Sequence, residues 1–339
     1  MTGRTPRLPG APDLDAACMA THGRPWSELK RGLTPRYRDA WRDIAFCYLG
    51  LVLGVAVVAA AHDLGGWLAG LVVMPVGVVV TGFWMSSLVR FVHEGGHHHL
   101  HPDRRWNDRL TDWFISAWVL DEVAHNRRVH WQHHLNLGGH GDTENSYFRA
   151  PTAGFLIKTV TALYVFEVIG RRILGLEDAR GRRVEAPGTR RSPGRVALVL
   201  ARSVLYHLAV LLVAGVLGGP LAAITWAAAM ATTYPFFDVL RQILEHRRLD
   251  VGPEVDLTQI EHGPNNRLFG KGPLSRWFGN AGFHLHLLHH WDPTVSYTRL
   301  EDMEQILLET ALREEIEGAR TTYWETWRGL RSAARRTAA

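Results

Sequence analysis

The segment HEGGHHHL, His93 to Leu100, puts four imidazoles directly after a long apolar run. Two later segments repeat the theme: HWQHH, with His130, His133 and His134, and HLLHH, with His286, His289 and His290. In the first, His93 and His97 stand four apart; in the other two the spacing is i, i+3, i+4. Residues three and four apart share one face of a helix, so each cluster aims its imidazoles in one direction. A lone His246 closes the segment RQILEH. These nine histidines exceed the three or four ligands that one zinc ion takes, and they suit two metals with open positions. Imidazole serves iron, copper, zinc and nickel alike. Two open-sited metals beside a membrane favour iron, with oxygen chemistry on apolar chains. His99, His101, His125 and His140 are read as solvated side chains outside the pattern.

The elements that must position the clusters follow from hydropathy. Four runs are nearly free of charge: Ile44–Ala61, Gly66–Phe91, Val196–Gly218 and Leu221–Leu240. A helix needs about 20 apolar residues to cross a bilayer, and each run roughly meets that. Arg90 sits at a run's end and is expected to snorkel; Arg202 and His207 should face the bundle interior in packing hydrogen bonds. The connections His62–Gly66 and Val216–Pro220 carry no Lys or Arg. Basic residues gather in the N-terminal segment, in Phe91–Arg195 and after Leu240, which the positive-inside rule places in the cytoplasm. The expected fold is an all-α membrane protein: four transmembrane helices in two hairpins, with both termini and the metal site cytoplasmic.

Residues 1–43 read as a mobile N-terminal cytoplasmic arm with no apolar core of an export signal. Residues 44–300 form the membrane domain, and residues 301–339 an amphipathic cytoplasmic helix. Between the runs, Trp-rich Arg104–Val123 and the segment Thr152–Leu176 are expected to lie along the membrane surface. Glu177–Arg195 reads as a flexible basic loop. Cys18 and Cys47 offer neither metal-ligand spacing nor a disulfide framework, which fits a reducing compartment. A pI near 9.5 suits anionic lipid headgroups or an acidic protein partner; no nucleic-acid motif appears.

The three boxes, HxxxH, HxxHH and HxxHH, resemble those of the membrane fatty acid desaturases. The first, HEGGHH, is similar to the HExGHH form of acyl-lipid desaturases, and HLLHHWDPTVSYTRL (His286–Leu300) resembles the ending HxxHHxxPxVPxxxL. The resemblance covers about residues 44–300. It implies a four-span helical domain under a cytoplasmic cap that holds a di-iron centre. His246 then matches the family's lone histidine after the fourth span, and Gln242 the polar residue one turn earlier that can hold a metal-bound water. Two alternatives stay open: His98 in place of His97, and His284 beside the third box. Coordinating imidazoles normally give their other N–H to a carboxylate, carbonyl or water, and Glu94, Asp142 and Glu245 are near enough in sequence to serve.

The function implied is O2-dependent oxidation of an unactivated C–H bond on a long acyl chain, most simply desaturation. The substrate would be a membrane lipid or a carrier-bound acyl chain. The alternatives are a di-iron hydroxylase of alkyl, acyl or carotenoid chains and, from another class, a membrane metal transporter or sensor. Transport would place ligands near the bilayer midplane, whereas these gather at one predicted face. No stretch resembles a fused cytochrome b5-like module, so electrons are expected from an external donor. A basic face suits an acidic ferredoxin.

Overall fold

A computed structural model describes residues 8–139, 141–144, 146–161, 163–164, 166–167, 191–252, 255–257 and 260–332. Among the described residues the chain is helical, and its extended pairing is limited to a bridge between Leu268 and Arg320. It divides into two compact units. One comprises Met1–Ala40, Val129–Ala150 and Gln242–Ala339; the other comprises Trp41–Arg128 and Pro151–Arg241.

The second unit is built on long apolar helices. Helix α3 (Tyr37–Gly96) is interrupted at Gly66, whose φ of 70° and ψ of −169° belong to a region essentially reserved for glycine. There the chain reverses. A Cβ added at Gly54 would stand 2.3 Å from Thr81 Oγ1, and one at Gly77 would stand 2.4 Å from Val58 Cγ2. Residue numbers therefore fall along one arm as they rise along the other, an antiparallel pair brought close by small residues. Helix α7 (Pro193–Ala231) repeats the device at Gly219, φ 76° and ψ 176°, followed by Pro220. After a break at Thr232, helix α8 (Thr233–His246) carries the chain on. Segments Tyr37–Gly96 and Pro193–His246 are long and apolar enough to cross a membrane. Their outward faces are apolar and exposed, as at Leu64, Leu68, Val72, Val216 and Leu217.

Polar residues of these arms turn inward. Arg90, expected to snorkel, is instead buried at 3% exposure, its guanidinium turned to Ser86 Oγ at 3.5 Å. Arg202 and His207 meet their expectation. Arg202 donates to Asp121 O at 2.7 Å. Trp226 Nε1 lies 3.2 Å from His207 Nδ1, and His207 Nε2 lies 3.0 Å from Trp118 O. An indole N–H only donates, so Nδ1 accepts and Nε2–H donates, which fixes a neutral tautomer. Helix α4 (Arg104–Phe114) starts on an Asp103 cap and leaves Trp106 and Trp113 exposed. Of the segment Thr152–Leu176, helix α6 (Ala153–Val160) is described. Its continuation beyond 167 and most of the basic loop lie outside the described residues, as does His140.

The first unit opens with helices α1 (Leu14–His22) and α2 (Trp26–Leu29). From residue 8 onward the mobile arm expected over residues 1–43 is here folded: Leu14, Cys18 and Trp26 are buried in a core with Leu285, Leu288, Trp291, Leu300 and Met303. Ala11, Leu29 and Leu33, partly buried, pack against the same core. Helices α5 (Val123–Asn136), α9 (Pro273–Phe278) and α10 (His286–Trp291) carry or flank the histidines. The single helix expected after residue 301 is three: α11 (Leu300–Leu308), α12 (Arg313–Gly318) and α13 (Tyr323–Ser332). The chain turns between α12 and α13 because Leu268 pairs with Ala319 and Thr321 through backbone hydrogen bonds of 3.1 and 2.8 Å.

Candidate metal centre

Seven of the nine predicted histidines belong to the first unit, and all seven are buried: His130, His133 and His134 on α5, His246 at the end of α8, and His286, His289 and His290 on α10. They form two groups of facing nitrogens. His130, His134 and His289 bring one ring nitrogen each within 4.8 Å of one another, and so do His133, His246 and His290. His286 extends the second group. Its Nε2 lies 2.9 Å from His246 Nε2 and 3.1 Å from His290 Nε2, while His289 Nε2 lies 3.1 Å from His134 Nε2.

These distances test whether the residues suit a metal. Two nitrogens bound to one ion at about 2.0–2.1 Å lie about 2.8–3.4 Å apart, from right-angled to tetrahedral geometry. The observed separations match that range. A proton on His286 Nε2 could be shared with one of its two facing rings, whereas a cation accepts lone pairs from all three. His290 also stays neutral: burial, reinforced by the neighbouring imidazoles, holds it well below the ordinary histidine pKa. Its lone pair is therefore available.

The opposite ring nitrogens are held by the protein. His133 Nδ1 lies 2.7 Å from Asp142 Oδ1, His130 Nδ1 lies 3.0 Å from Glu144 Oε1, and His246 Nδ1 lies 3.2 Å from the carbonyl of Asn265. Each contact turns Nε2 away from its partner and fixes the ring. Asp142 is itself braced by the Gly138 N–H at 3.0 Å and by the Tyr147 hydroxyl. Burial and the Asp142 charge push the Tyr147 phenol well above its ordinary range, so it remains a donor.

Other sequence candidates are placed as follows. Glu245 is fully buried, with Oε2 3.8 Å from His286 Nε2. Gln242 accepts from Ser146 Oγ and donates to Glu144 Oε2 at 3.2 Å. In the second unit, the rings of His93 and His97 meet edge to face at the end of α3, their centroids 4.8 Å apart. Glu94 bridges His93 at 3.2 Å and His99 at 3.0 Å. His98 has a left-handed backbone, φ 64°, and faces Asp108 and Arg127. His284 faces Gly279 O at 3.3 Å. Neither joins a group of facing nitrogens among the described residues. His99 and His125, read as solvated, are buried because each meets a carboxylate; His125 lies 2.8 Å from Asp121.

Sequence reasoning missed Glu144, Tyr147 and Asn265. Glu144 stands two residues after Asp142, so the argument that selected one carboxylate could have selected both. Asn265 acts through its backbone carbonyl, which residue type does not reveal. Also missed were two buried arginines that brace the end of α8. Arg247 Nη1 donates to the carbonyls of Tyr147, Phe148 and Arg149 at 3.2, 3.2 and 2.9 Å. Arg267 Nη1 donates to those of Leu244 and Glu245 at 2.9 and 3.1 Å. Burial lowers the Arg267 pKa to about 10, so it stays charged and complements the negative end of the helix.

Buried imidazoles facing one another, together with long apolar helices, define a histidine-rich, metal-competent helical protein of the membrane-associated kind. Residues 65–327, most of the chain, match the family model described as fatty acid desaturase. The chain belongs to the fatty acid desaturase family, and that membership makes it an oxidoreductase of the class that oxidises acyl chains. No curated protein matches it.

Proposed function

We propose that the protein is a di-iron desaturase of long acyl chains, with the eight box histidines and His246 as ligands and electrons from an external donor, a ferredoxin or a protein like it. The observation that carries this reading is the set of Nε2 to Nε2 separations among His246, His286 and His290, and between His134 and His289, inside a family that oxidises acyl chains. His93 and His97, spaced as in the family's first box, supply the rest of the set. The bound irons would supply the O2-dependent removal of hydrogen from an unactivated C–H bond. The chain's residues supply the setting. Asp142, Glu144 and the Asn265 carbonyl orient the rings of His133, His130 and His246, and burial keeps His290 neutral. Apolar helices receive the acyl chain and exclude water.

Four membrane crossings fit the arms that meet at Gly66 and Gly219, and the basic residues put the histidines on the cytoplasmic side. Loss of a second hydrogen gives a double bond and return of oxygen gives an alcohol. The same ligands serve both, so positioning of the substrate decides between them. The experiment is a lipid and fatty-acid mass analysis of a host expressing the protein with a ferredoxin and its reductase. A His289→Ala variant is the control. Products lighter by two hydrogens, absent from the control, are expected. Products heavier by one oxygen would identify a hydroxylase, and unchanged lipids would remove support for the acyl-chain substrate.

A further inference from the structure

The third histidine box rides on a helix too short to keep its own register. Helix α10 has six residues, whereas isolated helices shorter than about 12–15 residues are marginal. Its orientation is therefore set by what grips its two ends. At the leading end, Phe269 N donates to His284 O at 2.7 Å, and Leu287 N to Arg267 O at 3.2 Å.

At the trailing end stands Asp292, buried at 7% exposure. Its Oδ1 accepts from Thr294 N at 3.0 Å and Thr294 Oγ1 at 2.5 Å, a turn that terminates the helix. Its Oδ2 accepts from Trp26 Nε1 at 2.8 Å and Lys30 Nζ at 2.7 Å. Trp26 itself lies in the core that takes the apolar side of α10, Leu287, Leu288 and Trp291. The N-terminal segment, residues 14–36, thus straps the box, and its contacts continue along the chain that follows. Arg36 N donates to Thr298 Oγ1 at 3.0 Å, Arg36 Nη2 reaches Asp302 at 2.8 Å, and Arg299 Nε donates to Thr34 O at 2.7 Å. This strap precedes the residues matched to the family, 65–327.

We propose that Trp26 and Lys30 are positioning residues of the metal site, holding Asp292 and through it the register of His286, His289 and His290. The inference rests on the reading of those histidines as ligands. A buried carboxylate that loses its donors is left with a desolvation penalty. Asp292 escapes that penalty by turning toward water, and the turn of α10 that carries His289 and His290 moves with it.

The test uses the full chain in detergent, stripped of metal and titrated with Co2+ alone, whose visible bands report coordination. Wild type is compared with Trp26→Phe/Lys30→Met, with Lys30→Arg, which keeps the cation, and with Ile316→Ala, which perturbs the same core without touching Asp292. The double variant is expected to bind Co2+ at least tenfold more weakly with altered bands. Lys30→Arg and Ile316→Ala should keep wild-type bands and affinity, the latter despite a lower melting temperature. Should the double variant not fold, Trp26→Phe and Lys30→Met singly carry the same test, each with a shift of about threefold. Wild-type bands and affinity in the strap variants would overturn the inference and leave the metal site standing. Equal changes in Ile316→Ala would overturn it too, by reducing the effect to stability. A wild type that takes up no Co2+ would overturn the metal reading and this inference with it.

Discussion

The paired arms of α3 and the unit around α5 and α10 are both helical, but different forces hold them. Between the arms, contact depends on missing side chains: Gly54 and Gly77 let Thr81 and Val58 approach, while Leu64, Leu68 and Val72 face outward. Little of this is directional, so one apolar residue can replace another wherever it does not meet the facing helix. Around the histidines, contact depends on matched polar groups. Asp142, Glu144, Arg247 and Asp292 each meet specific donors or acceptors, and burial raises the cost of losing any one of them. The arms are thus tolerant of sequence and the histidine unit is not.

The sharpest way to break this contrast is to remove one ring. His290→Ala should lower bound metal and reduce product formation by more than the 10–100-fold typical of outer partners, read by metal analysis and product mass. Next comes the strap's own reporter. Burial, with the Asp15 charge adding to it, pushes the Cys18 thiol up to about 11 from 9.0. The group is therefore protonated at pH 8, and its thiolate fraction falls about a hundredfold. Alkylation at pH 8 should be correspondingly slow in the folded chain and fast in denaturant. Fast alkylation of the folded chain would mean that the strap is not held. Asp142→Asn should weaken metal binding by about 10–100-fold in a chelator competition, since the amide cannot accept from His133, Gly138 and Tyr147 as the carboxylate does.

Smaller effects belong to the arms. Gly77→Val should lower stability by about 1–3 kcal/mol through overpacking, measured by thermal unfolding in detergent, with metal content per folded chain unchanged. Leu68→Ala, on the exposed face, should stay within about 0.5 kcal/mol of wild type. If Leu68→Ala proves worse than Gly77→Val, the arms are not held by close approach and the contrast fails.

What the sequence disclosed follows the same division. Apolar runs and the i, i+3, i+4 histidines are local patterns, so both the long helices and the histidine-bearing segments were legible. Asp142 was legible because it lies nine residues from His133. The grip of Trp26 on Asp292 was not, because the partners are 266 residues apart and the surrounding stretch is polar and rich in Pro and Gly. Asn265 and the carbonyls taken by Arg247 and Arg267 were equally silent, since any residue type presents a carbonyl. The break of the C-terminal helix was hidden for the same reason: it follows from backbone pairing with Leu268.

The separation of Trp26 from Asp292 also sets a timetable during synthesis. At about 5–20 residues per second, the tryptophan leaves the ribosome some tens of seconds before the aspartate that will receive its N–H. Throughout that interval Leu14, Cys18 and Trp26 have no core to enter, because Leu285, Leu288 and Trp291 have not yet been made. The nascent chain therefore offers an early apolar segment to any cellular factor that shields such surfaces. Its last histidine-bearing helix can settle only once Asp292 has been made.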